Sequence, residues 1–548
     1  MAKNILTPLS VWSDYKAENK FLVEEIERKK SSDLIYESFY FSGKDKIKIF
    51  ATKICPEKLS MPAILLIGDG SPTDTRLSEM LAEKGYCVLA VDFKGRTDGK
   101  PYYTVYPEDK DFANYEKANI NEYKITCDIK STCWYVWGSV VRNALSFLKR
   151  QPFVESVGVI GVKEGATPLY NAIAEDNKID LAVFLFNAGW QSYKGKYDKT
   201  ATISDILSDE ELCFISGVEP QSYAQYIKCP TLLLSPTNSK DYDCDRADDT
   251  LERINGRFYT AHYYSANYSS ALDSRSYKNI LLFLERFAKK NDSIVLPSEP
   301  ELKLSLEDGE IVGEVKLDGH KEIKYACIYA SEEAMETKNR SWEKVFVAKQ
   351  PEFSFSYRPF YKSEIAFFYC KVIYKNGFSV CSNVISKKFT EKEIKKTNNQ
   401  KVIFTSRNEI DTNPFVGVNE DGTRYIHFSE KKRVFLKKGP MDIYGVYADG
   451  GLITYKIGIK KDNPSEDSIL IFDIYLPNDG EISIILKEAE TEYSAKIRLS
   501  GGQIWHNVKL ERNRFKTEEG RILKDFTNIK VLEIKTDNEF LLNNMLWI

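Results

Sequence analysis

Histidine is scarce in this chain: four residues in 548. That leaves few side chains able to act as a general base near neutral pH. Net charge is nearly absent as well. The 77 basic and 80 acidic side chains leave only -3, so no broad positive field draws nucleic acid or an anionic bilayer. No apolar run approaches the roughly 20 residues that a membrane-crossing helix needs. The opening residues, Met1 to Trp12, lack the basic-then-apolar order of a secretory signal. Cysteine stops at Cys381, and the closest pair, Cys127 and Cys133, has no zinc or thioredoxin-like spacing. Reduced, mostly buried thiols in a cytoplasmic protein are the reading that follows.

What is present is length and β-forming sequence. The chain is too long for one core, and domain-size priors suggest three or four units. Aromatic residues make up 13%, including 33 tyrosines, which favours β-rich modules. Up to about residue 290, short apolar runs at 63–67, 87–91, 157–162, 181–186 and 231–234 alternate with helical stripes. The clearest stripe is Trp134, Trp137, Val141, Ala144 and Leu148. That order predicts a parallel sheet covered on both faces by helices. A polar stretch at 291–300 with two prolines reads as a linker. Strand patterns follow it, with the hairpin signal Asn376-Gly377 and Trp342 available for a core. A lysine-rich stretch at 390–401 leads into further alternating strands, punctuated by Gly450-Gly451 and Gly501-Gly502. The expected organisation is an α/β domain at 1–292, an immunoglobulin- or fibronectin-III-like sandwich at 293–391, and a jelly-roll domain at 401–548.

Three stretches of the first region carry a family likeness. Residues 62–71 read PAILLIGDGS, residues 81–96 read LAEKGYCVLAVDFKGR, and residues 157–166 read VGVIGVKEGA. In this order and spacing they resemble the α/β-hydrolases, in particular relatives of dienelactone hydrolase and acetyl xylan esterase. The resemblance implies an oxyanion loop at Gly68, Asp69, Gly70 and Ser71, and a nucleophile elbow at Gly161–Gly165. The elbow pattern is Gly-x-Ser-x-Gly, yet this chain has Lys163 where the serine belongs. A lysine at a helix N-terminus could form a Schiff base if its pKa fell, although Glu164 next door would offset that. A solvated lysine on an inherited turn is the plainer expectation.

The resemblance places the acid after the strand at 231–234, where Asn238, Asp241 and Asp243 are available, and the base near Asn267. An amide has no useful pKa, so Asn267 cannot act as that base. His262 falls within a predicted strand and reads as packed, while His320, His427 and His506 lie in later regions. Lys163, Asp241 and Asn267 thus stand at the nucleophile, acid and base positions without forming a triad. The remaining cleft, lined by Glu164, Trp190 and Asn238 with the loop at 68–72, could hold a small ligand. Asp69 would oppose a developing anion if it pointed inward.

Asp241, Asp243, Asp245, Asp249 and Glu252 also have EF-hand spacing, but Arg246 stands where that loop needs glycine. An acidic helix start is the default expectation, and calcium is the weaker alternative. The last region, with Trp505, Val508, Leu510 and Phe515, resembles galactose-binding-like jelly rolls and some carbohydrate-binding modules. The expectation is a degenerate, non-catalytic hydrolase-fold protein that takes a carbohydrate or small-molecule ligand and needs no cofactor. The alternative is an active carboxylic-ester hydrolase with a nonstandard site drawing on Ser71 or Ser235 with Asp241.

Overall fold

The computed structural model describes residues 6–548 except 69–74, 98, 119–127, 175, 177, 190–207, 239–241, 255, 266–271, 273, 320, 398–400, 407–413, 418–433 and 449. Its N-terminal part is built on nine strands: β1 (Val23–Ser31), β2 (Leu34–Ser42), β3 (Lys48–Pro56), β4 (Met61–Ile67), β5 (Cys87–Val91), β6 (Val154–Val162), β7 (Leu181–Leu185), β8 (Thr231–Pro236) and β9 (Thr260–Ser265). They lie in the order β1-β2-β3-β5-β4-β6-β7-β8-β9. From β5 to β9 every neighbour is parallel. The expectation of a wholly parallel sheet needs correction, because β1, β2 and β3 pair antiparallel with one another and β3 pairs antiparallel with β5. The physical reason is connection length. Residues 32–33 and 43–47 separate the first three strands, and a parallel return needs a crossover of a dozen residues or more. β1 is polar almost throughout and exposed, so it carries little alternation to read.

Order reverses at β4: the chain leaves it for β5 on one side and returns to β6 on the other. In open α/β sheets such a switch point opens a crevice at the carboxyl ends of the strands, here β4 and β6. The helix Cys133–Lys149 packs one face of the sheet and buries Trp134, Trp137, Val141, Ala144 and Leu148, the stripe read from sequence. The helix Ser274–Phe287 serves the other face through Ile280, Phe283 and Leu284.

That second face does not end at its helix. One continuous apolar cluster runs from Ile64, Val88 and Leu232 through Phe283 to Ile328, Trp342, Phe367 and Tyr369. The later residues belong to a three-stranded and a five-stranded antiparallel sheet formed by strands between residues 301 and 388. Gly377 has a φ of 93° in the turn between Ile365–Tyr374 and Ser379–Cys381, as the Asn-Gly signal predicts. Trp342 is fully buried against Tyr369.

The last part contains a six-stranded and a five-stranded antiparallel sheet around a separate core that includes Phe472, Ile484, Ile534 and Trp547. Among the described residues no helix is long and apolar enough to cross a membrane. The described cysteines are buried and form no disulfide. Burial pushes the thiols of Cys133, Cys229 and Cys381 up to about 12, so they stay protonated and unreactive.

Candidate functional site

β6 ends at Val162, and the next residue, Lys163, adopts a φ of 47° before the chain enters a helical turn and then the helix Ala166–Ile173. This is a sharp strand-to-helix turn with a left-handed residue at its tip, the geometry expected at the elbow position. The two flanking glycines have a packing reason. A Cβ on Gly165 would lie 2.6 Å from the carbonyl oxygen of Ile67 and 2.7 Å from that of Gly68. A Cβ on Gly161 would lie 2.8 Å from the Cα of Ala166. Both glycines let strand, helix and β4 loop approach closely, whatever residue occupies the tip.

Lys163 differs from the expected solvated side chain: it is 1% exposed. Its carbonyl accepts a hydrogen bond from Asn187 Nδ2 at 2.8 Å, and the same amide lies 3.3 Å from Thr167 Oγ1. Asn187 follows Phe186, itself left-handed at the end of β7. Glu164 pairs with the buried Lys94 at 2.5 Å. Lys94 in turn sits over the Tyr115 ring. The sequence reading missed Lys94, which lies inside the Asp-x-x-Gly-Arg stretch. There Asp92 accepts from the amides of Gly95 at 3.0 Å and Thr104 at 2.7 Å, folding the loop that carries Lys94.

At the position where an acid is expected, the chain contacts the middle β region. Asn238, two residues past β8, is buried, and its amide donates to the carbonyls of Thr337 at 2.8 Å and Arg340 at 2.5 Å. Two residues after Asp243, Asp245 receives the Arg340 guanidinium in a two-point pair at 2.6 and 2.7 Å. Both side chains are fully buried. Burial opposes the guanidinium's charge, but Asp245 outweighs it and holds Arg340 above its ordinary pKa. Phe367 stacks 4.1 Å from the guanidinium carbon.

The EF-hand spacing does not form a calcium loop. Asp243 caps the helix Cys244–Glu252 by accepting from the Arg246 amide, and it also pairs with the Arg246 side chain. Asp245 faces Arg340, Asp249 faces Arg253, and Glu252 accepts from Asn383 at 3.0 Å. The oxygens that calcium would need are spread around a helix. Among the described residues no cluster of three or more ligating side chains is suited to a metal.

His262 is packed in β9 as its pattern predicts, and it faces two carboxylates. Nδ1 lies 2.9 Å from Glu299 Oε1, and Nε2 lies 2.9 Å from the Ser382 carbonyl and 3.6 Å from Asp248. Burial lowers its proton affinity, yet Glu299 and Asp248 outweigh this and bring its pKa to about 9. β9 is an edge strand, and the middle region covers it: Lys371 donates to the Tyr264 carbonyl at 3.1 Å, and the Tyr264 amide donates to Cys381 Sγ at 3.4 Å. Asp69, Gly70, Ser71, Trp190, Asp241 and Asn267 lie outside the described residues, as do His320 and His427. Ser235 is described and fully buried within β8. The structure thus brings together Lys163, Glu164 and Gly68 with Asn187 and Lys94, and assigns Asn238, Asp243, Asp245 and Glu252 to other tasks.

A cavity of about 780 Å³ occurs at the opposite, amino end of β6, between Arg142, Ser146, Lys149, Glu155 and Asp176. Lys149 and Asp176 pair there, and Asp180 accepts from the Val157 amide at 2.8 Å. It is remote from the elbow.

No family model matches the sequence, nor does any curated protein. Among solved structures, the chain is similar to an acetyl xylan esterase from Paenibacillus sp. R4 over 51% of its length and 92% of that protein's, at 14% identity and a TM-score of 0.39. It is likewise similar to acetyl xylan esterase 1 from Thermoanaerobacterium sp. JW/SL YS485, over 50% and 88% at 15% identity and a TM-score of 0.36. A dienelactone hydrolase-like protein from Klebsiella pneumoniae subsp. pneumoniae MGH 78578 aligns over 50% and 100% at 12% identity and a TM-score of 0.29. At such scores these likenesses carry no inference about activity. The mixed sheet order and the left-handed turn after β6 are observations independent of these likenesses.

Proposed function

We propose that this chain is a degenerate, non-catalytic α/β-hydrolase-like protein with a carbohydrate-related binding or assembly role. One observation carries the reading: the elbow keeps its strained geometry while its tip is a buried lysine whose backbone is tied to Asn187. Support comes from the acid position, where Asn238 is committed to the Thr337 and Arg340 carbonyls. A nucleophile must reach substrate, and a serine hydroxyl needs an oriented base and acid to act. On this reading the middle sheets form an immunoglobulin- or fibronectin-like sandwich and the last two a galactose-binding-like jelly roll. The saccharide class follows from those resemblances.

Turnover of short-chain p-nitrophenyl esters and acetylated sugars by wild type, Lys163→Ala and Lys163→Ser tests this. No variant is expected to turn over substrate, Lys163→Ser included, because a serine alone lacks its partners. Clear wild-type turnover abolished by Lys163→Ala would overturn the reading and make the lysine catalytic. Turnover indifferent to Lys163 would favour the second reading, an ester hydrolase whose nucleophile lies elsewhere in the cleft, such as Ser71 with Asp241. The observation in favour of that second reading is the strained elbow itself, since strain of this kind gathers at functional sites.

A further inference from the structure

The six-stranded sheet of the last part turns Leu470, Phe472 and Ile474 inward to its core, so the alternate residues of the strand Leu470–Tyr475 face outward. Asp473 and Tyr475 are therefore neighbours on the outer face. The strand is flanked by His506–Leu510 on one side and Phe540–Trp547 on the other. Across these three strands runs a polar row. Asn507 Nδ2 donates to Asp473 Oδ1 at 2.8 Å, and Asn544 Nδ2 donates to Asp473 Oδ2 at 2.8 Å.

The Asn544 arm of this row depends on a local distortion. The ladder between Leu470–Tyr475 and Phe540–Trp547 shifts register between Ile471 and Asp473, and Asn544 has a φ of 48°. Asparagine tolerates that conformation better than most residues, and glycine would tolerate it better still. What asparagine adds is an amide aimed at the carboxylate. Bulges that re-aim a side chain are placed features rather than defects.

Two residues along each strand, about 7 Å away, stands an aromatic pair. Tyr475 and Trp505 have ring centroids 6.0 Å apart with planes inclined at 49°. The indole N–H of Trp505 donates to the Pro440 carbonyl at 3.1 Å, which fixes the ring. A Cβ on Gly439 or Gly445 would come within 2.9 or 2.8 Å of the indole, so two hairpin glycines make room for it. Both rings remain partly exposed.

We infer that this outer face binds a neutral saccharide, one sugar unit packing its C–H face on Tyr475 and Trp505 while the neighbouring unit meets Asp473, Asn507 and Asn544. Each asparagine retains a second N–H and a carbonyl oxygen, and each Asp473 oxygen retains a lone pair. Donors and acceptors alternate along the row, as adjacent hydroxyls require, since each hydroxyl both gives and takes. The carboxylate disfavours phosphorylated or acidic ligands. The inference rests on the carbohydrate-related reading above and adds its location and contacts.

Isothermal titration calorimetry of the full chain with xylo-, cello-, manno- and laminari-hexaose tests it. At least one is expected to bind, and Tyr475→Ala and Asn544→Gly are each expected to weaken binding by roughly two- to tenfold, the loss that one stacking or hydrogen-bonding contact entails. Asn544→Gly keeps the left-handed backbone, so its melting temperature stays at the wild-type value while affinity falls. Binding unchanged in both variants would overturn the outer-face site and leave the carbohydrate-related reading standing. No binding of any hexaose at millimolar concentration would overturn the inference, while the ester-turnover assay judges the non-catalytic reading separately.

Discussion

Replacing Arg340 with methionine isolates the contact that fastens the middle sheets to the helix Cys244–Glu252 that follows β8. The substitution keeps much of the apolar stem but leaves Asp245 as a fully buried carboxylate without its partner. Breaking a buried pair from one side costs about 3–5 kcal/mol, because the remaining charge is uncompensated. The carbonyls of Ala334 and Met335 also lose their donors. At about 2–4 °C per kcal/mol for a unit of this size, Arg340→Met should lower the melting temperature by roughly 6–20 °C. Asp245→Asn combined with Arg340→Met should recover part of that loss, since an amide is cheaper to bury than a lone carboxylate. Circular dichroism melts of the wild type, both single variants and the double variant give the coupling directly. A single-variant loss below about 1 kcal/mol, or a double variant as unstable as the sum of the singles, would refute the view that this pair carries the junction.

Three more outcomes follow from particular residues. His262 gains protons on folding, so its stabilising effect is complete below its unfolded pKa near 6.5 and is lost as pH rises through about 9; denaturant midpoints taken from pH 6 to 10 should fall for wild type more steeply than for His262→Gln. Asp462 is pushed up to about 7, first by burial, so its neutral form favours the fold: that contribution is complete below 3.8 and lost as pH rises through 7, and Asp462→Asn should be more stable than wild type at pH 8 and show a flatter profile. Gly165→Ala should destabilise by about 1–3 kcal/mol, the range for forced overpacking, because the new methyl meets backbone carbonyls that cannot rotate away; an unchanged midpoint in urea would show that the β4 loop yields freely.

Much of the sheet was legible because its central strands are unbroken apolar runs with helices between them. The strand Cys87–Val91 and the helix beginning at Cys133 fall where periodicity places them. β1 was not legible, since nine residues exposed along nearly their whole length give neither alternation nor a buried run. At the site, the missing serine at Lys163 was plain in the sequence. Its burial was not, because local sequence says nothing about what closes over a turn. Asn238 and Asp245 were read as candidates for chemistry, whereas their partners Thr337 and Arg340 come from about a hundred residues downstream. Spacing along the chain cannot reveal a pairing of that kind. The EF-hand spacing gives way to the expected acidic helix start, because carboxylates two residues apart fan outward on a helix.

The apolar cluster that joins the second face of the nine-stranded sheet to the middle strands has a practical consequence for dissection of the molecule. A cut in the linker near residue 292 looks natural in the chain, yet it would strip Ile328, Phe367 and Tyr369 from Ile64, Val88 and Leu232 and wet both halves of one core. The two parts therefore fold and unfold as one body. A change in the middle sheets reaches the nine-stranded sheet through shared packing rather than through the linker.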